Sequence, residues 1–290
     1  MKAEVLRVPE ELDKDTCELV AGEIVEALGK IVTKGDRFVI NDTLWYKNNG
    51  KKATPTAVNS AKYITRGVAK QIKSLGWTTE MTLAEQTIDG YKEFEVHKAG
   101  YTLSKDSTLS LVRESWEGDS YPPNLMANLY ELHYKRSVFQ PSRESQRNID
   151  LFRKANEAGR LRVGLEFETG NIASSFRALS KLDTLFRENF LDVGVFVTSL
   201  DKSSTATRIW PASNRNGSFE ELLARSFRGN VLLPLIEVAF SPDEIRSDAR
   251  YLAKDGSTYE PNPTGEMRTF QGKKYAVFND SDGLEILKPL

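Results

Sequence analysis

The chain predicts an α/β fold with a central mixed β-sheet flanked by helices. Two observations carry that prediction. From residue 161 to 240, stretches of strand and helix character alternate as strand, helix, strand, helix, strand, the pattern of a layered α/β core. Two of those strands, LDVGVFVTSL (191–200) and NVLLPLIEVAF (230–240), are apolar almost throughout, as strands covered on both faces are.

Each element has a local reason. Asp15 with Glu18 three residues later makes a capping box, after which Val20, Ile24 and Leu28 recur at helical spacing up to Gly29. RFVIN (37–41) is a short strand candidate and KNNGKK (47–52) a turn. Thr54-Pro55 reads as a helix start, followed by Val58, Ala61, Ile64, Val68 and Ile72 on one face, with Gly76 closing the helix. FEVHKAGYTL (94–103) alternates like a hairpin, NLMANLYELHY (124–134) reads as a helix, and 145–159 as a helical or irregular approach to the strand at 161. Beyond Asn171 a helix carries Ile172, Phe176, Leu179, Leu182 and Phe186 on one face, and NGSFEELLARSF (216–227) is a shorter helix. The last fifty residues are rich in turn formers, with KYAVF (274–278) as a strand candidate. No repeat or low-complexity linker divides the 290 residues, so one domain spanning 1–290 is expected, elaborated between about 85 and 145.

Composition narrows the function. With 39% hydrophobic and 28% charged residues the chain reads as globular. Its one cysteine, Cys17, excludes an intrachain disulfide and suits a reducing compartment. The start lacks a signal-peptide core and no apolar run is long enough to span a membrane, so a cytoplasmic protein is expected. No Walker loop, GxGxxG, HExxH or GxSxG occurs, and His97 and His133 are the only histidines. Nucleotide cofactors, a histidine-built zinc site and a serine-hydrolase elbow therefore lose their usual signatures.

The formal net charge is −1, yet charge is segregated. From Thr43 to Thr79 there is no acid, while Lys47, Lys51, Lys52, Lys62, Arg66, Lys70 and Lys73 all fall inside. Lys135 to Arg162 holds eight Lys or Arg against three acids. Either stretch could be a solvated face; together they suit a phosphate-binding surface.

The chemistry concentrates in VGLEFETGN (163–171). Residues two apart in a strand share a face, so Glu166 and Glu168 point together, opposite Leu161, Val163, Leu165 and Phe167. Neighbouring carboxylates raise one another's pKa unless a cation lies between them, and a hard divalent ion, Mg²⁺ first, is the natural occupant. Asp150, sixteen residues before Glu166, is the third acid that spacing offers. Asp, a gap of this length, then Glu-x-Glu at a strand end is the pattern of the PD-(D/E)xK nucleases. Alone, it is also a common arrangement on a solvated strand.

RVGLEFETGNIASSFRALSKL (162–182) closely resembles the corresponding region of the BamHI-like type II restriction endonucleases, the BamHI, BglII and BstYI group. FVINDT with NNG (38–50), GWTTEM (76–81), LDVGVFVTSL and SNRNGSFEELL (213–223) are similar to other family segments. The likeness is weak over 85–145, which reads as an insertion, and over a divergent region 241–290. The resemblance implies a restriction-endonuclease-like core performing Mg²⁺-dependent hydrolysis of double-stranded DNA, with Mn²⁺ able to substitute. It implies cleavage at a short palindrome, with GATC as a candidate centre, leaving 5′-phosphates. It implies a homodimer using 172–187, and a cognate DNA methyltransferase as genetic partner in a bacterial or archaeal cell. By the same likeness Asp150, Glu166 and Glu168 would bind the metal, Glu168 standing at the general-base position, with Glu80 as an outer acid. Asn171, Arg177, Asn214 and Arg215 would contact DNA, joined by Lys62 of the acid-free stretch. Ala173 and Asn214 depart from a serine and an aspartate of the family, so the outer base pair is open. Without the likeness, Asn171 is an N-cap and the arginines are surface charges. A structure-specific nuclease on the same core and a DNA-binding protein without catalysis are the competing readings.

Overall fold

The computed structural model describes residues 1–9, 14–41, 43–56, 58–95, 160–188, 190–200 and 218–290. Along the chain run β1 (Lys2–Arg7), α1 (Lys14–Gly29), β2 (Val39–Ile40), β3 (Trp45–Asn48), β4 (Ala53–Thr56), α2 (Ala61–Ser74), β5 (Thr78–Leu83) and β6 (Gln86–Glu95). Then come β7 (Arg160–Glu168), α3 (Ile172–Arg187), β8 (Val193–Ser199), α4 (Phe219–Ala224) and β9 (Leu235–Ser241). Short strands β10 (Glu244–Ile245), β11 (Tyr251–Leu252) and β12 (Thr258–Tyr259) precede a meander of β13 (Asn262–Phe270), β14 (Lys273–Asn279) and β15 (Glu285–Pro289).

The central sheet has six strands in the order β1-β9-β8-β7-β6-β5. Strands β7, β8 and β9 are parallel, while β1, β6 and β5 run antiparallel to their neighbours, so the sheet is mixed as expected. The seven residues of β8, its centre, are all buried, which is why that stretch is apolar without alternation. One face packs Leu161, Val163, Leu165 and Phe167 of β7 against Val20, Ile24 and Leu28 of α1 and Ile64, Val68 and Ile72 of α2. The other face packs Phe196 of β8 against Leu179, Leu182 and Leu185 of α3 and Phe219 and Leu222 of α4. Two helical layers on one sheet thus bury both faces.

Four local expectations need correcting. Asp15 lies inside the first turn of α1 rather than capping it. RFVIN contributes only Val39 and Ile40 as strand, paired in parallel with β10 outside the central sheet. Thr54-Pro55 opens no helix; it lies in β4, where Pro55 faces Tyr46 of β3. As β4 is a sheet edge, the missing N–H of proline costs no ladder bond there. Helix α2 instead starts after Ser60, whose Oγ accepts from the Lys62 backbone N–H at 3.3 Å. Finally, residues 86–95, placed in the insertion by sequence, are β6, paired with β7 from Gly90↔Leu165 to Glu95↔Arg160. The helix read at 124–134, most of the 94–103 hairpin and the 145–159 approach lie outside the described residues.

The C-terminal meander joins the β3–β4 hairpin in a five-stranded sheet, β13-β14-β15-β3-β4. Only the middle strand of that meander was legible, because β13 is exposed along most of its length and shows no apolar face.

Candidate active site

The parity of β7 sends its carboxylates where alternation predicts. Phe167 enters the α1–α2 core, while Glu166 is 5% exposed and meets Lys181 of α3 on the opposite face. β7 ends at Glu168, and three features fix that end. The Thr198 hydroxyl donates to the Glu168 carbonyl at 2.9 Å. The Gly170 N–H donates to the Glu168 carboxylate. A Cβ on Gly170 would collide with that carboxylate and stand 2.8 Å from the Ser174 side chain, so only glycine fits. Asn171 then caps α3, its Oδ1 accepting from the Ser174 N–H at 3.1 Å. Asn171 and Arg177 are both exposed, and Arg177 has no side-chain partner among the described residues.

The acid that faces Glu166 across the sheet is Asp89, on β6. Its Oδ2 accepts from the Phe167 backbone N–H at 2.8 Å, so it is tied to the residue between the two glutamates. Asp150 lies outside the described residues, as do Asn214 and Arg215. Glu80 sits opposite Asp89, between the Thr79↔Gly90 and Met81↔Ile88 pairs. Its φ of 53° is left-handed, a conformation that costs a non-glycine residue about 1–3 kcal/mol and clusters at functional sites. Lys181, which sequence reasoning missed, reaches in from α3: its Nζ donates to the Thr87 carbonyl at 2.6 Å and lies 2.5 Å from Glu166 Oε1.

The electrostatics are those of crowded acids. Burial, then the charge of Asp89, push Glu166 up to about 8, with Lys181 offsetting part of the rise. Burial raises Glu168 as well, against the Gly170 N–H that lowers it. Loss of water around its carboxylate raises Asp89 too, although the residue keeps an exposed edge, opposed by the Phe167 N–H and Lys181 and assisted by Glu80. The sign of the consequence is definite. A carboxyl whose folded pKa exceeds its ordinary value of 4.5 stabilises the fold below that value, and this contribution is lost as pH rises toward 8. Without cation, stability should therefore fall between about pH 4.5 and 8, by on the order of 3–5 kcal/mol, then level off. Denaturant titrations across that range check this; Glu166→Gln should remove most of the slope, and an unchanged slope would reject the assignment.

The residues fit a hard divalent cation in donor type. Three carboxylates crowd one strand end, and buried Glu166 Oε1 accepts no well-aligned hydrogen bond, having only the Lys181 ammonium beside it. They do not form a finished cage, since no group of three or more His, Cys, Asp or Glu poised to hold an ion exists among the described residues. Lys181 accounts for the difference, supplying positive charge against Glu166. Lys181→Met should lower cation-free stability by about 1–3 kcal/mol through an uncompensated carboxylate. It should also widen the stabilisation that added Ca²⁺ gives in a melting experiment; equal shifts in both proteins would contradict that role.

A family model described as restriction endonuclease BamHI matches residues 1–257. The match therefore includes 241–257, expected from sequence to be divergent, and stops short of the β13–β15 meander. No curated protein matches the chain.

Proposed function

Because the chain belongs to the BamHI restriction endonuclease family, type II enzymes that cleave double-stranded DNA at a specific sequence, we propose that Asp89, Glu166 and Glu168 form its cutting centre, with Mg²⁺ as the cation. Restriction endonucleases of this kind generally use divalent metal ions. The observation that carries the reading is the convergence of Asp89 and Glu166 across the β6–β7 pair. Asp89 takes the role that spacing assigned to Asp150.

Asp89 and Glu166 would hold the cation, and their oxygens suit Mg²⁺, with Mn²⁺ as substitute. When bound, it acidifies water and offsets the charge that builds on the phosphate. Glu168 takes the proton of the attacking water, and its raised pKa makes it a better base near neutral pH. Water oxygen bonds to phosphorus as the bond to the 3′ oxygen breaks, giving a 5′-phosphate and a 3′-hydroxyl. Lys181 limits repulsion among the acids before the cation arrives. Glu80 acts from the rim through its charge on Asp89.

Recognition lies one step along the chain. The Asn171 Oδ1 is committed to the cap, which leaves its amide N–H₂ as a donor to a base acceptor in the major groove. Arg177 lies six residues into α3 on an exposed position, and Asn214 with Arg215 completes the proposed reading set. A palindromic target, with a GATC centre taken from the resemblance, pairs with a homodimer through 172–187; the family is typically dimeric. Among the described residues no helix is long and apolar enough to cross a membrane. Digesting plasmid and phage DNA with Mg²⁺ and sequencing the ends tests the reading: one shared palindrome is expected, and random nicking would overturn it.

A further inference from the structure

The acid-free stretch of the sequence acquires a shape in the fold. Lys62, Arg66, Lys70 and Lys73 fall on one exposed stripe of α2, opposite its buried Ile64, Val68 and Ile72. None of the four has an ion-pair partner among the described residues, whereas cations on neighbouring elements do: Lys30 with Glu26, Lys34 with Asp248, Arg37 with Glu244, Lys92 with Glu23. The first turn of α2 holds no acid and carries Lys62 as its second residue. A cation at a helix N-terminus opposes the macrodipole, and like charges four apart each cost about 0.2–0.5 kcal/mol. The helix thus carries a charge pattern that lowers its own stability, with no compensating acid upon it.

Its placement gives the pattern a direction. Gly76 (φ 86°) joins α2 to β5, and the Leu75 carbonyl just past the helix accepts from Lys92 Nζ of β6 at 2.7 Å, which ties the Lys73 end of α2 to the sheet. The stripe thus lies on the α1–α2 side of the sheet, the face opposite the one on which Glu166 meets Lys181. From Lys62 to Lys73 the helix rises roughly 16 Å, a length over which one DNA strand presents about five phosphates. Beside Arg66 and Lys70 a cavity of about 330 Å³ opens toward Lys30 and the Asp255–Gly256 turn. Asp255, the acid on its rim, is already hydrogen-bonded by the Ser257 N–H and hydroxyl at 2.8 and 2.7 Å.

Resting on the nuclease reading above, we propose that the exposed stripe of α2 is a rail for duplex DNA outside the recognition sequence, holding flanking phosphates without reading bases. Its occupant is the same duplex the enzyme cuts. Arg66→Gln/Lys70→Gln/Lys73→Gln in the full chain tests it, with Lys62 left in place as a residue the sequence already sets against DNA. Binding is measured against salt on two duplexes with the same central sequence, one barely longer than the site and one extended on both sides. On the extended duplex the slope of log K against log salt should become shallower by roughly 2–3 per protomer, about 0.9 for each phosphate no longer neutralised. On the short duplex the slope should not change. Arg66→Lys/Lys70→Arg/Lys73→Arg should retain the wild-type slope on both. An unchanged slope on the extended duplex, or equal losses on the two, overturns the rail. Should the triple variant fail to fold, Lys70→Gln alone must still lose about 0.9 of slope. If the wild type binds but never cuts, the nuclease reading fails and the slope comparison still decides the stripe; if it cuts at one sequence with the slope unmoved, the stripe alone fails.

Discussion

Glu166→Gln should abolish DNA cleavage while leaving DNA binding intact. The residue is 5% exposed, lies beside Lys181 and faces Asp89. The amide keeps the shape and removes the charge that would hold a cation. Loss of cation-dependent electrostatic stabilisation is worth at least two to three orders of magnitude, about 3–4 kcal/mol of barrier, from a single donor alone. For a charge at the centre of the site the loss should be larger. Single-turnover cleavage of a site-bearing duplex, with binding measured in parallel, checks both halves. The variant should also bind DNA at least as tightly without added cation, because one fewer negative charge faces the phosphates. Cleavage within tenfold of wild type would remove Glu166 from the chemistry.

Asp89→Asn should be as damaging, and Asp150→Asn should not. Asp89 is bonded to the Phe167 N–H and its charge raises both Glu166 and Glu168. The asparagine retains an oxygen for the Phe167 N–H, so the strand pairing survives while the ligand charge is lost. A loss of three orders of magnitude or more, roughly 4 kcal/mol, is expected for Asp89→Asn. Less than a tenfold loss is expected for Asp150→Asn. The reverse outcome would return the role to Asp150. The comparison is internal, since both changes remove one carboxylate from the same chain.

The two aspartates mark where sequence reasoning stopped. The parity of β7 was legible because a period of two in VGLEFE leaves one arrangement of Val163, Leu165 and Phe167 against Glu166. The glycine stop was legible too, since Gly170 and Asn171 are the residues that a close approach and a helix cap require. The mixed sheet followed from apolar strands separated by amphipathic helices. Asp89 drew no attention in the sequence, where spacing along the chain points to Asp150, a residue outside the described ones. In the fold β6 pairs directly with β7, and residues 96–159 intervene between the two partners. A signal existed in TIDGYKEFE (87–95), where Ile88 and Phe94 are buried and charged residues lie between. Lys181 had no sequence signal, since a lysine on an exposed-looking turn of a helix cannot be told from one aimed across a sheet edge. Lys62, Arg66, Lys70 and Lys73 were visible as a cluster, and the fold added that they share one exposed face of a helix that carries no acid. The β13–β15 meander lies beyond the family match, and apart from KYAVF in β14 the sequence does not mark its strands; β13 is exposed along most of its length.

The position of residues 96–159 also bears on the site. That segment leaves the sheet at Glu95 and returns at Arg160, a registered pair at the far end of the β6–β7 ladder from Asp89. Six residues of strand separate Glu95 from Asp89, about 20 Å at strand rise.

The most direct measurement of the central claim is the anomalous diffraction of Mn²⁺ in crystals of the protein with its DNA. One dominant peak is expected in contact with carboxylate oxygens of Asp89 and Glu166, absent from Asp89→Asn crystals grown the same way. A peak coordinated instead by Asp150, or a fully occupied ion away from both β6 and β7, would contradict it.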